Sequence, residues 1–143
     1  MRYATMLRML LCVPVILLVA APVAAAASLN TPCSSVEHVL TNGHKAKLET
    51  VIARQLNVPN VEIIRYFGFA HWSVVYIDSR DADETFLFYD AANVRRRYIN
   101  TWSGATGYDE ERDMLDWTLK NVPKIPMHLA ECFSWYVTKG RDR

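Results

Sequence analysis

Two cysteines constrain this chain more than any other feature. Cys33 and Cys132 stand near opposite ends of the segment that follows an apolar leader. In an oxidising compartment two such thiols form a bridge more often than they stay free. Closing a loop of about 100 residues is worth up to ~4.7 kcal/mol in the chain-entropy picture, a large share of a small domain's stability. A fold compatible with that bond must bring its first and last elements together.

The expectation of an oxidising compartment rests on residues 1–27, which divide as a secretory signal peptide does. Arg2 and Arg8 make a short basic region without acids, and Met9 to Ala21 forms an apolar core. Ala24, Ala25, Ala26 and Ala27 then supply the small residues that signal cleavage requires. A retained anchor is the competing reading. A spanning helix needs about 20 apolar residues, whereas this core is shorter and contains Pro14. Cys12 follows Leu10 and Leu11 inside the apolar run, a context that disfavours lipidation. The chain is thus expected to lose residues 1–27 and keep no membrane anchor. The mature domain, 28–143, is expected to work in the periplasm or outside the cell. The alanine-rich leader has a bacterial character.

A mature chain of this length suits one domain and can remove roughly two-thirds of its unfolded surface from water. The full chain carries 16 basic and 15 acidic residues. Loss of Arg2 and Arg8 turns that balance slightly acidic, so charge gives no reason to expect a nucleic acid or an anionic membrane as partner. All four tryptophans and every tyrosine but Tyr3 lie beyond the leader, which excludes a disordered tail.

Periodicity predicts an α+β domain. A first helix is expected over Ser34–Leu40, ended by the turn formers Thr41, Asn42 and Gly43. A second is expected over His44–Leu56, with Leu48, Val51, Ile52 and Leu56 at helical spacing. Strands follow at Val61–Phe67, with Val61, Ile63, Arg65 and Phe67 on one face, at His71–Asp78 and at Thr85–Tyr89. The last two form a hairpin around the polar segment 79–83. A fourth strand is expected at Val94–Trp102. Asp109 should cap a helix that ends near Asn121, before Pro123. Its apolar stripe would be Met114, Leu115, Thr118, Leu119 and Val122. Pro126 should open a last helix that Gly140 stops. Leu129, Cys132, Phe133 and Tyr136 share one face of it, which aims the Cys132 sulfur inward toward Cys33. The expected architecture is N-terminal helices, a central antiparallel sheet of three to four strands, and two C-terminal helices packed on one face.

Candidate chemistry is sparse. His38, His44, His71 and His128 form no pair at metal-ligand spacing, and no Cys-x-x-Cys occurs, so neither zinc nor any other metal or cofactor is expected. Asp78, Asp81 and Asp83 lack the glycine and the distal glutamate of a calcium loop and read as a solvated hairpin tip. Arg95, Arg96 and Arg97 could grip a carboxylate or phosphate, or protect an edge strand with charge; the second reading is preferred. One catalytic arrangement is conceivable. Cys33 at a helix start, His71 opening a strand and Asp90 ending the next resemble, in chain order, the Cys–His sites of papain-like peptidases and secreted cell-wall amidases. That resemblance would make Cys33 a nucleophile with His71 as its base. The flanking residues, Thr-Pro-Cys-Ser, differ from the Asp-Cys-Ser-Gly pattern common in the amidases. The preferred expectation is therefore a small exported domain, bridged by Cys33 and Cys132, that binds another protein without catalysis, as an inhibitor, a toxin-immunity protein or an envelope accessory factor. A secreted cysteine amidase or peptidase is the alternative.

Overall fold

The computed structural model describes residues 30–90 and 97–141; the leader expected over residues 1–27 lies outside them. Helix α1 (Asn42–Leu56) is followed by β1 (Glu62–Phe69), β2 (Trp72–Asp78), β3 (Thr85–Tyr89), β4 (Asn100–Trp102), α2 (Glu111–Asn121) and α3 (Met127–Trp135). A wider π-helical turn, Tyr136–Gly140, extends α3 to the glycine expected to end it. The strands form one antiparallel sheet in the order β1-β2-β3-β4. The protein is a single small α+β domain with both C-terminal helices on one face of the sheet.

Helix α1 begins where the sequence suggests a turn. Thr41 is its N-cap, in extended conformation, with its hydroxyl accepting the His44 N–H at 3.3 Å. Asn57 closes the helix in the left-handed conformation and returns its N–H to the carbonyls of Ala53 and Arg54. Leu48, Ile52 and Ala53 are buried from this helix.

The helix expected over Ser34–Leu40 does not form. Ser34 donates to the Thr31 carbonyl and Val36 to that of Cys33, and Glu37 then exchanges both backbone hydrogen bonds with Gly68 at 2.8 Å. Seven residues are too few for a helix to hold itself. Pairing with the edge of β1, together with burial of Cys33 and Val36, stabilises the extended form instead. Only one N-terminal helix is therefore present among the described residues.

The sheet is covered on both faces. Phe67, Val74, Tyr76, Phe86 and Phe88 meet α2, α3, Cys33 and Val36. Ile63, Val75, Ile77, Leu87 and Tyr89 meet α1. This explains why Ser73–Ile77 and Phe86–Tyr89 are buried at every position rather than at alternate ones. The expected facing of β1 is corrected by a β-bulge: Ile63 pairs with Ile77, but Arg65 pairs with Tyr76, leaving Ile64 over. The extra residue turns Ile63 to the α1 face while Phe67 faces α3. The Glu49 carboxylate accepts the Ile63 N–H at 3.0 Å beside that bulge.

Two further boundaries differ. Strand β4 covers only Asn100–Trp102, with the Ile99 N–H donating to the Phe88 carbonyl just before it. Residues 91–96, within the expected span, lie outside the described residues. Asp109 does not cap α2; the helix starts after Glu110, whose carboxylate instead accepts the Gly107 N–H. Leu119, expected in the buried stripe, is 37% exposed, while Thr118 is fully buried with its hydroxyl on the Met114 carbonyl at 2.7 Å.

Candidate functional site

Cys33 and Cys132 come together at disulfide distance, their Cα atoms 4.5 Å apart. Cys132 has no exposure and Cys33 only 6%. They pack with Val36, Leu129 and Phe133 in the cluster between the sheet and the C-terminal helices. The helical phase of Cys132 therefore leads where its spacing indicates. Cys33, however, opens no helix, so the helix-end field that would activate its thiol is missing.

His71 and Asp90 do not join that pair. His71 is exposed in the two-residue turn between β1 and β2. It borders a groove on the α1 face, the side of the sheet opposite Cys33. Asp90 is exposed just past β3. The histidine that does meet Cys33 is His38, whose Nε2 lies 2.9 Å from the Cys33 carbonyl oxygen rather than from its sulfur. The Cys–His order noted in the sequence is thus not assembled as a nucleophile and its base. Among the described residues no group of three or more His, Cys, Asp or Glu side chains is placed to hold a metal ion. No helix there is long and apolar enough to cross a membrane.

The α1 face carries a groove of about 1000 Å³ between α1 and the β1–β2 hairpin end. One wall is a stripe of α1 at helical spacing, His44, Lys47, Val51 and Arg54. The other is Tyr66, His71 and Trp72. Tyr66 lies across Gly68, where an added Cβ would stand 2.9 Å from its ring, so the absence of a side chain at Gly68 lets the ring lie flat. Burial first, then the nearby Glu37 charge, push the Tyr66 phenol above its ordinary pKa, and the Ser73 hydroxyl pulls it partly back. No carboxylate lines the groove. Farther along this face, Tyr89 donates to the Gln55 side chain at 2.9 Å and packs edge-on against Tyr98. Arg97, the one described member of the arginine run, is exposed and sits 5.7 Å from the Tyr98 ring. Arg95 and Arg96 lie outside the described residues.

A third cluster is structural. Arg141 places its guanidinium 5.0 Å from the ring of Tyr76, 5.3 Å from Phe86 and 5.7 Å from Trp102. It donates to the Gly104 carbonyl at 2.7 Å and to the Tyr76 hydroxyl at 3.0 Å. The Tyr76 hydroxyl in turn donates to Glu84. Burial, reinforced by Glu84, pushes Tyr76 up to about 12.

Sequence reasoning missed Lys47, Arg54 and Tyr66, and also Arg141. The three-four-three spacing of His44, Lys47, Val51 and Arg54 is visible in the sequence. The partner wall is not, because it depends on which face of the sheet α1 covers. Comparison with protein-family models, with curated proteins and with solved structures finds no match to this chain.

Proposed function

We propose that this is an exported, non-catalytic domain, bridged by Cys33 and Cys132, that binds another protein in the periplasm or outside the cell. An inhibitor, a toxin-immunity protein or an envelope accessory factor fits that description. One observation carries the reading: both cysteines beyond the leader are buried against each other, which leaves neither sulfur as a resting nucleophile. The exposed His71 turn on the opposite face has no thiol to activate.

Thiol chemistry tests this directly. Native protein, secreted with its own leader, should resist alkylation at both cysteines and weigh two hydrogens less than its reduced form. Rapid labelling of Cys33 alone, slowed by His71→Ala, would instead establish the amidase or peptidase alternative. The same mass spectrum should show a chain beginning between Ala25 and Leu29. Met1 retained in a membrane fraction would sink the export reading.

A further inference from the structure

We propose that the groove between α1 and the β1–β2 hairpin end docks an acidic, extended segment of the partner protein. This rests on the binding reading above and names the surface and the chemistry. His44, Lys47 and Arg54 line one wall and His71 the other, with no carboxylate in the lining. None of these four side chains is in an ion pair among the described residues, whereas Lys45, on the next face of α1, is held by Glu49 at 3.7 Å. Lys47 and Arg54, in no ion pair among the described residues, gather positive charge along one groove and so complement a run of Asp or Glu, with His44 and His71 as further polar groups. Arg54 offers the planar fork that engages a carboxylate bidentately, and Lys47 a mobile point charge. The Arg54 Nε already donates to the Thr50 carbonyl at 3.2 Å, which orients the guanidinium along the helix.

The rest of the lining favours a polypeptide over a small anion. The groove is partly open to solvent, and at about 1000 Å³ it matches the upper end of small-molecule pockets without enclosing its contents. Tyr66 supplies a flat, half-buried ring of the kind that anchors interfaces, whereas Trp72 borders the groove with its side chain packed toward the opposite face. Tyr66 is held in place across Gly68. One carboxylate acts on this wall from outside the lining, Glu37, felt at Tyr66. It limits the cationic field at one end and so favours seating the acidic run toward Lys47 and Arg54.

The test uses the mature, bridged protein and three synthetic peptides of one length. One alternates Glu with apolar residues, one replaces every Glu by Gln, and one replaces every Glu by Lys. Backbone amide shifts should move in α1 and in the β1–β2 turn with the acidic peptide alone, and binding should weaken as salt is added. Lys47→Glu with Arg54→Glu should weaken binding by roughly tenfold or more with an unchanged melting temperature, and Tyr66→Ala should weaken it independently of salt. No binding of the acidic peptide, or binding that maps elsewhere and ignores the double variant, would overturn the proposal. So would equally tight binding of a short polyphosphate or a single-stranded oligonucleotide at the same residues. The alkylation result is separate: protected cysteines with an inert groove would remove this site while the binding reading stands.

Discussion

Arg141 closes the domain from its far end, and replacing it measures what an aromatic enclosure around one cation contributes. Its guanidinium faces rings from three strands, Tyr76 on β2, Phe86 on β3 and Trp102 on β4. Each contact of this kind is worth about 0.5–1 kcal/mol at a partly exposed site. The hydrogen bonds to Gly104 and Tyr76 each add about 1.5 kcal/mol, the lower end for charged groups. Against these stand roughly 2 kcal/mol of side-chain entropy and the desolvation of Nε, which is buried without a partner, at about 1–3 kcal/mol. Arg141→Ala should therefore destabilise by about 1 kcal/mol, within the range of ordinary single substitutions.

Arg141→Lys discriminates the cause. It retains the charge but loses the planar stack and the two-point donation, so it should recover less than half of the loss. The assay is equilibrium unfolding in urea, since guanidinium would itself enter the vacated enclosure. The midpoint should fall with the slope unchanged. A loss below about 0.5 kcal/mol, the level of an uninvolved surface change, or full recovery by lysine, would refute the argument.

Other outcomes follow from the same structure. Cys33→Ala or Cys132→Ala should cost about 2–5 kcal/mol in urea unfolding of oxidised protein, and the penalty should vanish when wild type is measured reduced. Ala70 holds φ at 54° in the β1–β2 turn, a conformation that suits glycine. Ala70→Gly should stabilise by about 0.5–1 kcal/mol, the relief of strain exceeding the added freedom of the unfolded chain. Tyr66, Tyr76 and Tyr89 all have raised phenol pKa values, Tyr76 to about 12. Because the folded state holds these protons more tightly, stability is full below pH 10 and falls as pH rises from there through the folded values. Tyrosinate absorbance should show these three titrating late and cooperatively with alkaline unfolding; normal titration of Tyr76 in folded protein would contradict its enclosure.

The sequence reports the elements better than their environment. Apolar residues at helical spacing locate α1, α2 and α3, and the β-branched and aromatic runs locate β2 and β3. Continuous burial along Val74–Ile77 and Phe86–Tyr89 is also written there, as runs with no polar alternation, and such runs imply a sheet covered on both faces. What the sequence hides depends on tertiary pairing. Ser34–Leu40 has helix-compatible residues, yet the free edge of β1 at Gly68 captures its backbone. The bulge at Ile64 shows only as a break in alternation, Ile63 and Ile64 both being apolar. Cys132 could be aimed inward from helical phase alone, whereas the cationic groove needed both α1 and the hairpin end in place.

That coverage limits where the proposed partner could dock. Helices bury both faces of the sheet, so the surfaces left for recognition are helix exteriors, strand edges and hairpin ends. The outer edge of β1 is unsuited to strand addition: the bulge bends it, the Glu49 side chain occupies the Ile63 N–H, and Glu37 occupies both backbone groups of Gly68. The opposite edge, β4, has only three residues, a short template for pairing. The hairpin end beside α1 differs from both. There Tyr66 remains half-exposed, and Lys47 and Arg54 of α1 line the other wall of the groove. The docking proposed at that end would work through side-chain charge and the Tyr66 ring rather than backbone pairing, so charge reversal at Lys47 and Arg54 should be felt more strongly than any substitution along the β1 edge.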